Sequence, residues 1–229
     1  MQIVSIVTEY SHHLKLIETS DGSKTLYLKE LDEQYHSLNG AVTESEHVFI
    51  RNGLLALDHK SEITVLEVGF GTGLNCLLTL THSKRKIRYV ALEKFVLGEN
   101  IVDRLGYDKL DGGSLFGAIH ASPWNIDTAI TPGFSLLKLE LDLLDHVPLP
   151  IGQVDVIYYD AFGPDKQPEM WTDALMGQII GHLAPGGILV TYTAKGEVRR
   201  RLQRLGLVAE RLPGPPGKRE MLRAIKPLR

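Results

Sequence analysis

Cysteine is almost absent: Cys76 stands alone, so the chain closes no internal disulfide and builds no cysteine zinc site. Long apolar runs are missing as well. The most apolar stretch, ITVLEVGFGTGLNCLLTL, is interrupted by Glu67, Asn75 and three glycines, short of the roughly 20 apolar residues that span a bilayer. The N-terminus, MQIVSIVTEYSHHLKL, has neither the basic start nor the apolar core of a secretion signal. The nine histidines show no metal-ligand spacing, and His12 and His13, adjacent on an expected strand, would point to opposite faces. No internal repeat or linker divides the chain. These absences lead us to expect a cytoplasmic protein with no metal and no membrane attachment.

What is present is an ordinary globular composition: 229 residues, 43% apolar and 23% charged. The net charge of −3 hides an asymmetry. From Lys195 to Arg229 eleven basic residues face only Glu197, Glu210 and Glu220, a local excess of eight, which leaves −11 on the rest. Such a basic end is either a solvated surface or the footprint of a nucleic-acid partner.

The runs LKLIET and KTLYLKE flank Ser20-Asp21-Gly22-Ser23 and read as a β-hairpin, an extension we assign to residues 1–34. TESEHVFIRNGLLAL, Thr43 to Leu57, reads as one helix. From Ile63 the pattern changes to strands alternating with helical runs, the signature of an α/β domain with a mostly parallel sheet, which we assign to residues 35–229. The expected strands are ITVLEVG, IRYVALEK, FSLLKLELD, VDVIYYDAF and GILVTYTA, with the helix LNCLLTLTH after the first. Short helices and loops are expected between Asn100 and Phe134. MWTDALMGQIIGHL reads as a helix stopped by Pro185-Gly186-Gly187, and KGEVRRRLQRLG as a basic helix. LVAERL and REMLRAIKP close the chain as two strands able to pair antiparallel.

Glu67-Val68-Gly69-Phe70-Gly71-Thr72-Gly73 sits where a buried strand turns into a helix, and glycines at alternate positions let a ligand approach the backbone. The spacing departs from the dinucleotide fingerprint G-x-G-x-x-G, which counts against a nicotinamide cofactor. Twenty residues past Gly73, Glu93 ends the next strand, placed to accept from both hydroxyls of an adenosyl ribose. Asp142, with Asp145 as its rival, ends the third strand and is a candidate acceptor for an adenine amino group. Asp160 ends the fourth strand after a buried apolar run, a setting suited to acid–base or positioning work at the carboxyl edge of the sheet. Cys76 is expected to be a small buried residue.

These pieces resemble the class I S-adenosyl-L-methionine (SAM)-dependent methyltransferases, and more narrowly the bacterial tRNA 5-(aminomethyl)-2-thiouridine methyltransferases of the MnmC and stand-alone MnmD kind. Phe70-Gly71-Thr72-Gly73-Leu74-Asn75, Glu93-Lys94-Phe95, Asp160 with Phe162, Pro168-x-Met170-Trp171-Thr172, Pro185-Gly186-Gly187, Val198-Arg199-Arg200 and Lys218-Arg219-Glu220-Met221-Leu222 carry the likeness in order. It runs from about Tyr35 to the C-terminus, where Tyr35-x-Ser37 and Glu44 before Val48-Phe49 add to it. The resemblance implies a Rossmann-like sheet of seven strands, the last antiparallel, with SAM held by Glu67, Gly69, Gly71, Gly73, Asn75, Glu93 and Asp142. It implies N-methylation of the aminomethyl group of a wobble uridine, with Asp160 catalytic and no oxidoreductase domain within these residues. For the tRNA anticodon stem-loop, Phe162, Trp171 and Tyr192 are the expected stacking residues, and Lys195, Arg199, Arg200, Lys218 and Arg219 the expected phosphate contacts. A monomer or small homo-oligomer is expected. The alternatives are a class I methyltransferase for a small-molecule or protein amine, a nicotinamide-dependent reductase and a non-catalytic RNA-binding protein.

Overall fold

The computed structural model describes residues 14–228, so His12 and His13 lie outside it. The N-terminal runs form a small antiparallel sheet: β1 (Leu14–Glu18) pairs with β2 (Lys24–Leu28), and β2 with a short β3 (Glu33–Gln34). Asp21 makes the hairpin turn by accepting from the Ser23 and Thr43 N–H groups at 3.0 and 2.9 Å. That second bond ties the hairpin to the following helix, α1 (Ala41–Ser45).

The expected single helix from Thr43 to Leu57 is three pieces. After α1 the chain widens into a π turn over Glu46–Arg51 and tightens into a 3₁₀ turn over Leu54–Leu57. Gly53 marks the break, since a Cβ there would lie 2.5 Å from the Phe49 carbonyl oxygen. The side-chain amide of Asn52 caps the freed His47 carbonyl at 2.7 Å.

The main sheet has eight strands in the order β10-β11-β9-β8-β4-β5-β7-β6. Strands β4 (Glu62–Val68), β5 (Lys86–Glu93), β7 (Phe134–Glu140), β8 (Val154–Tyr159) and β9 (Leu183–Thr191) are parallel. As expected, the last strand, β11 (Glu220–Ile225), runs antiparallel, between β9 and β10 (Val208–Pro213). The eighth strand corrects the expected seven. It is β6 (Thr128–Thr131), an antiparallel edge from the stretch that had read as short helices and loops, and its alternation is masked by only four residues before Pro132.

The helices are α2 (Leu74–His82), α3 (Glu99–Leu105), α4 (Phe116–Ala121), α5 (Asp173–Gly181) and α6 (Gly196–Arg204). Pro185-Gly186-Gly187 does not stop α5, which already ends at Gly181. It lies inside β9, where the pairing jumps from Val154↔Leu183 to Val156↔Ile188 and the intervening residues bulge out, the one place a proline fits in an inner strand. Alternate strand residues bury opposite faces. Val65, Tyr89, Leu136, Val156 and Val190 pack beneath α2 and the π turn, and Leu66, Val90, Leu137, Ile157 and Leu189 beneath α5 and α6. Two apolar layers thus pin the sheet and leave its carboxyl edge for chemistry.

Candidate active site

At that edge the β4 strand turns sharply into α2. Gly69, Gly71 and Gly73 all take positive φ, and a Cβ on Gly69 would sit 2.8 Å from the Asp160 carbonyl oxygen, so this turn closes only on glycine. The Leu92 carbonyl accepts from the Gly69 and Phe70 N–H groups at 3.0 and 3.1 Å, fixing the turn against β5. Between the turn and the ends of β5, β7 and β8 opens a cleft of about 580 Å³. Gly69, Gly71, Asn75, Glu93, Asp142, Asp160, Phe162, Tyr192 and Lys218 all line it.

The Glu93 carboxylate is clamped by three backbone donors, Gly71 at 2.8 Å on one oxygen and Lys94 and Phe95 at 2.9 and 2.8 Å on the other. Burial raises its pKa, and the three N–H groups pull the other way. A carboxylate offers about four acceptor positions, so capacity remains beside these three donors for a ligand hydroxyl. Asp142 caps the next turn by accepting from Leu144 at 2.9 Å and pairs with Lys94 at 2.5 Å. Burial opposes its charge, but Lys94 and the Leu144 N–H outweigh it and lower the pKa.

Asn75, on the first turn of α2, donates from one amide nitrogen to Glu67 and to Asp160, each at 2.8 Å. Glu67 is fully buried on β4 behind the glycine turn and is not part of the cleft wall. It is a buried support for Asn75. Burial, then the charge of Asp160, pushes the Glu67 pKa well up. Burial, then Glu44, does the same to Asp160. Asp160 is therefore a carboxylate with unusual avidity for a proton, aimed by Asn75 and facing the cleft.

The loop after Asp160 is braced from two sides. The Tyr192 hydroxyl donates to the Ala161 carbonyl at 3.0 Å, and the Trp171 indole N–H donates to the Phe162 carbonyl at 2.7 Å. Trp171 is 1% exposed and packs on Tyr159, which makes it a core brace and leaves no face for a base. The ring across from Phe162 is Tyr35, edge-on at 5.2 Å. Gly73 is also away from the cleft wall, its α-carbon backed by His120 and Phe70.

Comparison with known proteins bears on this arrangement. A family described as S-adenosyl-L-methionine-dependent methyltransferase matches residues 133–227. The bifunctional protein MnmC of tRNA 5-methylaminomethyl-2-thiouridine biosynthesis from Ectopseudomonas mendocina is 32% identical over 82% of this chain, and that from Idiomarina loihiensis 32% identical over 83%. The crystal structure of MNMC2 from Aquifex aeolicus superposes with a TM-score of 0.73 at 26% identity, covering 100% of this chain and 77% of that one. The chain belongs to the SAM-dependent methyltransferases. It spans 31% and 35% of the length of the two MnmC relatives. Spermidine synthase from Thermotoga maritima shares the fold, with a TM-score of 0.60 at 15% identity over 94% of this chain and 70% of that one.

The methyltransferase cleft fits its cofactor. The glycine turn leaves no side chain where SAM would meet the backbone, and Glu93, which keeps an acceptor position, and Asp142 line the same cleft and would be available to its hydroxyl and amino groups. Sequence reasoning missed His36 and Lys138, and it did not foresee that Lys218, expected at a phosphate, pairs with Glu44. His36, held neutral by burial with its pKa lowered to about 4, links Thr25 of β2 to Thr72 of the glycine turn at 3.1 and 3.4 Å. Glu44 and Lys218 form an ion pair at 2.6 Å within the cleft. Lys138 lies buried in β7, its ammonium 4.9 Å from the Trp124 ring centre and donating to the Ile119 and His120 carbonyls. A buried lysine in FSLLKLE breaks the apolar pattern of its strand and was the one available signal.

The basic end is largely neutralised on site. Arg201 and Arg204 pair with Asp173, Arg211 with Glu220, Arg223 with Glu210, and Lys195 with Asp165. Among the described residues, Arg199, Arg200 and Arg219 have no carboxylate partner, and Arg200 and Arg219 are exposed. No helix among the described residues is long and apolar enough to cross a membrane, and none of their His, Cys, Asp and Glu side chains group as a metal site.

Proposed function

We propose that this chain transfers the methyl group of SAM to the primary amine of a 5-aminomethyl-(2-thio)uridine at the tRNA wobble position, giving 5-methylaminomethyl-(2-thio)uridine, in the cytoplasm. The observation that carries the reading is the placement of Asp160 in the same cleft as Glu93 and the glycine turn, in a chain that resembles the MnmC relatives over most of its length. Bound SAM supplies an electrophilic methyl on a sulfonium. The protein's part is geometry and one proton. Asp160, fixed by Asn75, accepts an N–H of the neutral amine and points the nitrogen lone pair at the methyl carbon. After transfer from SAM, which would leave as S-adenosylhomocysteine, the methylated ammonium would pass its surplus proton to Asp160 or to water.

Glu93, Asp142, Gly69, Gly71 and Asn75 hold the adenosyl end, while Glu67 and Gly73 act from behind the turn. A wobble base in a single-stranded loop splays out at little unpairing cost, and the Tyr35–Phe162 corner offers it an aromatic wall. Arg199, Arg200 and Arg219 supply phosphate contacts for the anticodon stem-loop. The test is methyl transfer from labelled SAM to tRNA from cells lacking this final methylation, followed by nucleoside analysis. Label on the aminomethyl side chain of the wobble uridine is the expected result. Binding of S-adenosylhomocysteine with no tRNA labelled would overturn the substrate assignment and point to a small-molecule or protein amine.

A further inference from the structure

The Glu44–Lys218 pair is unused by any step so far, although both residues line the same cleft as Asp160. Lys218 comes from the loop between β10 and β11, where the preceding Gly217 takes φ +83°, the left-handed region that favours glycine. Its ammonium is anchored twice. It sits 2.6 Å from one Glu44 oxygen and 4.1 Å from the Tyr192 ring centre. Glu44 is itself fixed, 6% exposed, its second oxygen accepting the Ser37 N–H at 2.8 Å. The Tyr192 hydroxyl braces the residue after Asp160. The ammonium is thus held by ion pairing with Glu44 and by an aromatic face, with N–H donors left for a ligand. These donors and the Asp160 acceptor share one cleft, where the positive charge of Lys218 favours the ionised form of Asp160.

A donor beside an acceptor is the complement of an amine flanked by a carbonyl. In a 5-aminomethyl pyrimidine the C4 carbonyl occupies that flanking position. We infer that Lys218, positioned by Glu44 and Tyr192, donates to the C4 carbonyl of the substrate base and makes the site specific for a 5-aminomethyluridine over the corresponding cytidine, whose C4 carries an amino donor. Lys218 is half-buried within the cleft, and the mismatch places donor against donor, which discriminates between the two bases.

This inference rests on the wobble-uridine reading, and the experiment separates the two. Anticodon stem-loop RNAs carrying 5-aminomethyluridine or 5-aminomethylcytidine at the wobble position are compared as substrates for wild type, Lys218→Met, Lys218→Arg and Glu44→Gln. S-adenosylhomocysteine affinity serves as the check on folding. Wild type should favour the uridine RNA by about 100-fold in kcat/KM, as expected when a half-buried charged donor is left facing another donor. Lys218→Met should lower kcat/KM for uridine about 30-fold and bring the two RNAs to within a few fold of each other. Lys218→Arg should restore most of the preference and Glu44→Gln should erode it. Full preference retained in both Lys218→Met and Glu44→Gln, with cofactor affinity intact, would overturn the role of Lys218. A wild type that methylates neither RNA while binding S-adenosylhomocysteine would overturn the substrate reading and this inference with it.

Discussion

Replacing Asp160 by Asn separates what the carboxylate does for catalysis from what it costs the fold. The substitution keeps the side-chain shape and an oxygen to accept from Asn75, now at 2.8 Å to the carboxylate. The charge-assisted bond becomes a neutral one, a loss of about 1 kcal/mol. Against that, a buried negative charge disappears: burial, then repulsion from Glu44, holds the Asp160 pKa well above its ordinary 3.8. Because the native pKa is raised, the native state keeps its proton at a pH where the unfolded chain has lost it. The stability this group confers is full below pH 3.8 and is lost as pH rises toward the native pKa. Asp160→Asn should therefore match wild type in stability in acid and gain on it steadily toward pH 8. Turnover should fall in the opposite sense, by roughly 10²- to 10⁴-fold, the range for a lost acid–base group and equal to ~3–5 kcal/mol of barrier. Urea denaturation across pH 4–8, S-adenosylhomocysteine titration and single-turnover methyl transfer read the three quantities. Unchanged turnover would remove Asp160 from the reaction, and a stability difference that does not grow with pH would refute the raised native pKa.

Glu93→Gln keeps an acceptor for part of the backbone clamp but weakens the ribose contact, so S-adenosylhomocysteine affinity should drop about tenfold by calorimetry while the pH dependence of turnover stays in place. Trp171→Phe retains the ring beside Tyr159 and removes the bond to the Phe162 carbonyl; it should cost about 1–2 kcal/mol in denaturation and lower kcat more than it raises KM for tRNA, because the Asp160 loop loses a brace. Reversing Arg199, Arg200 and Arg219 together should weaken tRNA binding and reduce the slope of log affinity against log salt by up to about 2 to 3, leaving S-adenosylhomocysteine binding as it was. The same triple reversal at Arg201, Arg204 and Arg223, which are paired with Asp173 and Glu210, should cost stability first.

What the sequence made legible follows from how local each cause is. The strand IRYVALEK and the helix LNCLLTLTH read correctly because their periods and the glycine turn between strand and helix are set by neighbouring residues, and the observed limits, Lys86–Glu93 and Leu74–His82, agree within a residue. The turn, Glu93 and Asp160 are likewise written at strand ends, and they do meet at one cleft. Where a cause is distant, the reading fails. Pro185-Gly186-Gly187 looks like a helix stop, and only the pairing of β9 with β8 makes it a bulge. Trp171 looks like a stacking platform until the sheet places Tyr159 against it. The basic end looks like one broad footprint, yet most of its charges find carboxylates such as Asp173 and Asp165, which lie about thirty residues upstream of their partners. Lys218 shows the consequence for function most clearly. Its charge suggests a phosphate contact, but Glu44, 174 positions earlier, draws it into the cleft. A residue's charge is local information and its partner is not, so the carboxylate proposed to react was readable from one strand while the group proposed to select its substrate emerged only when α1 met the β10–β11 loop.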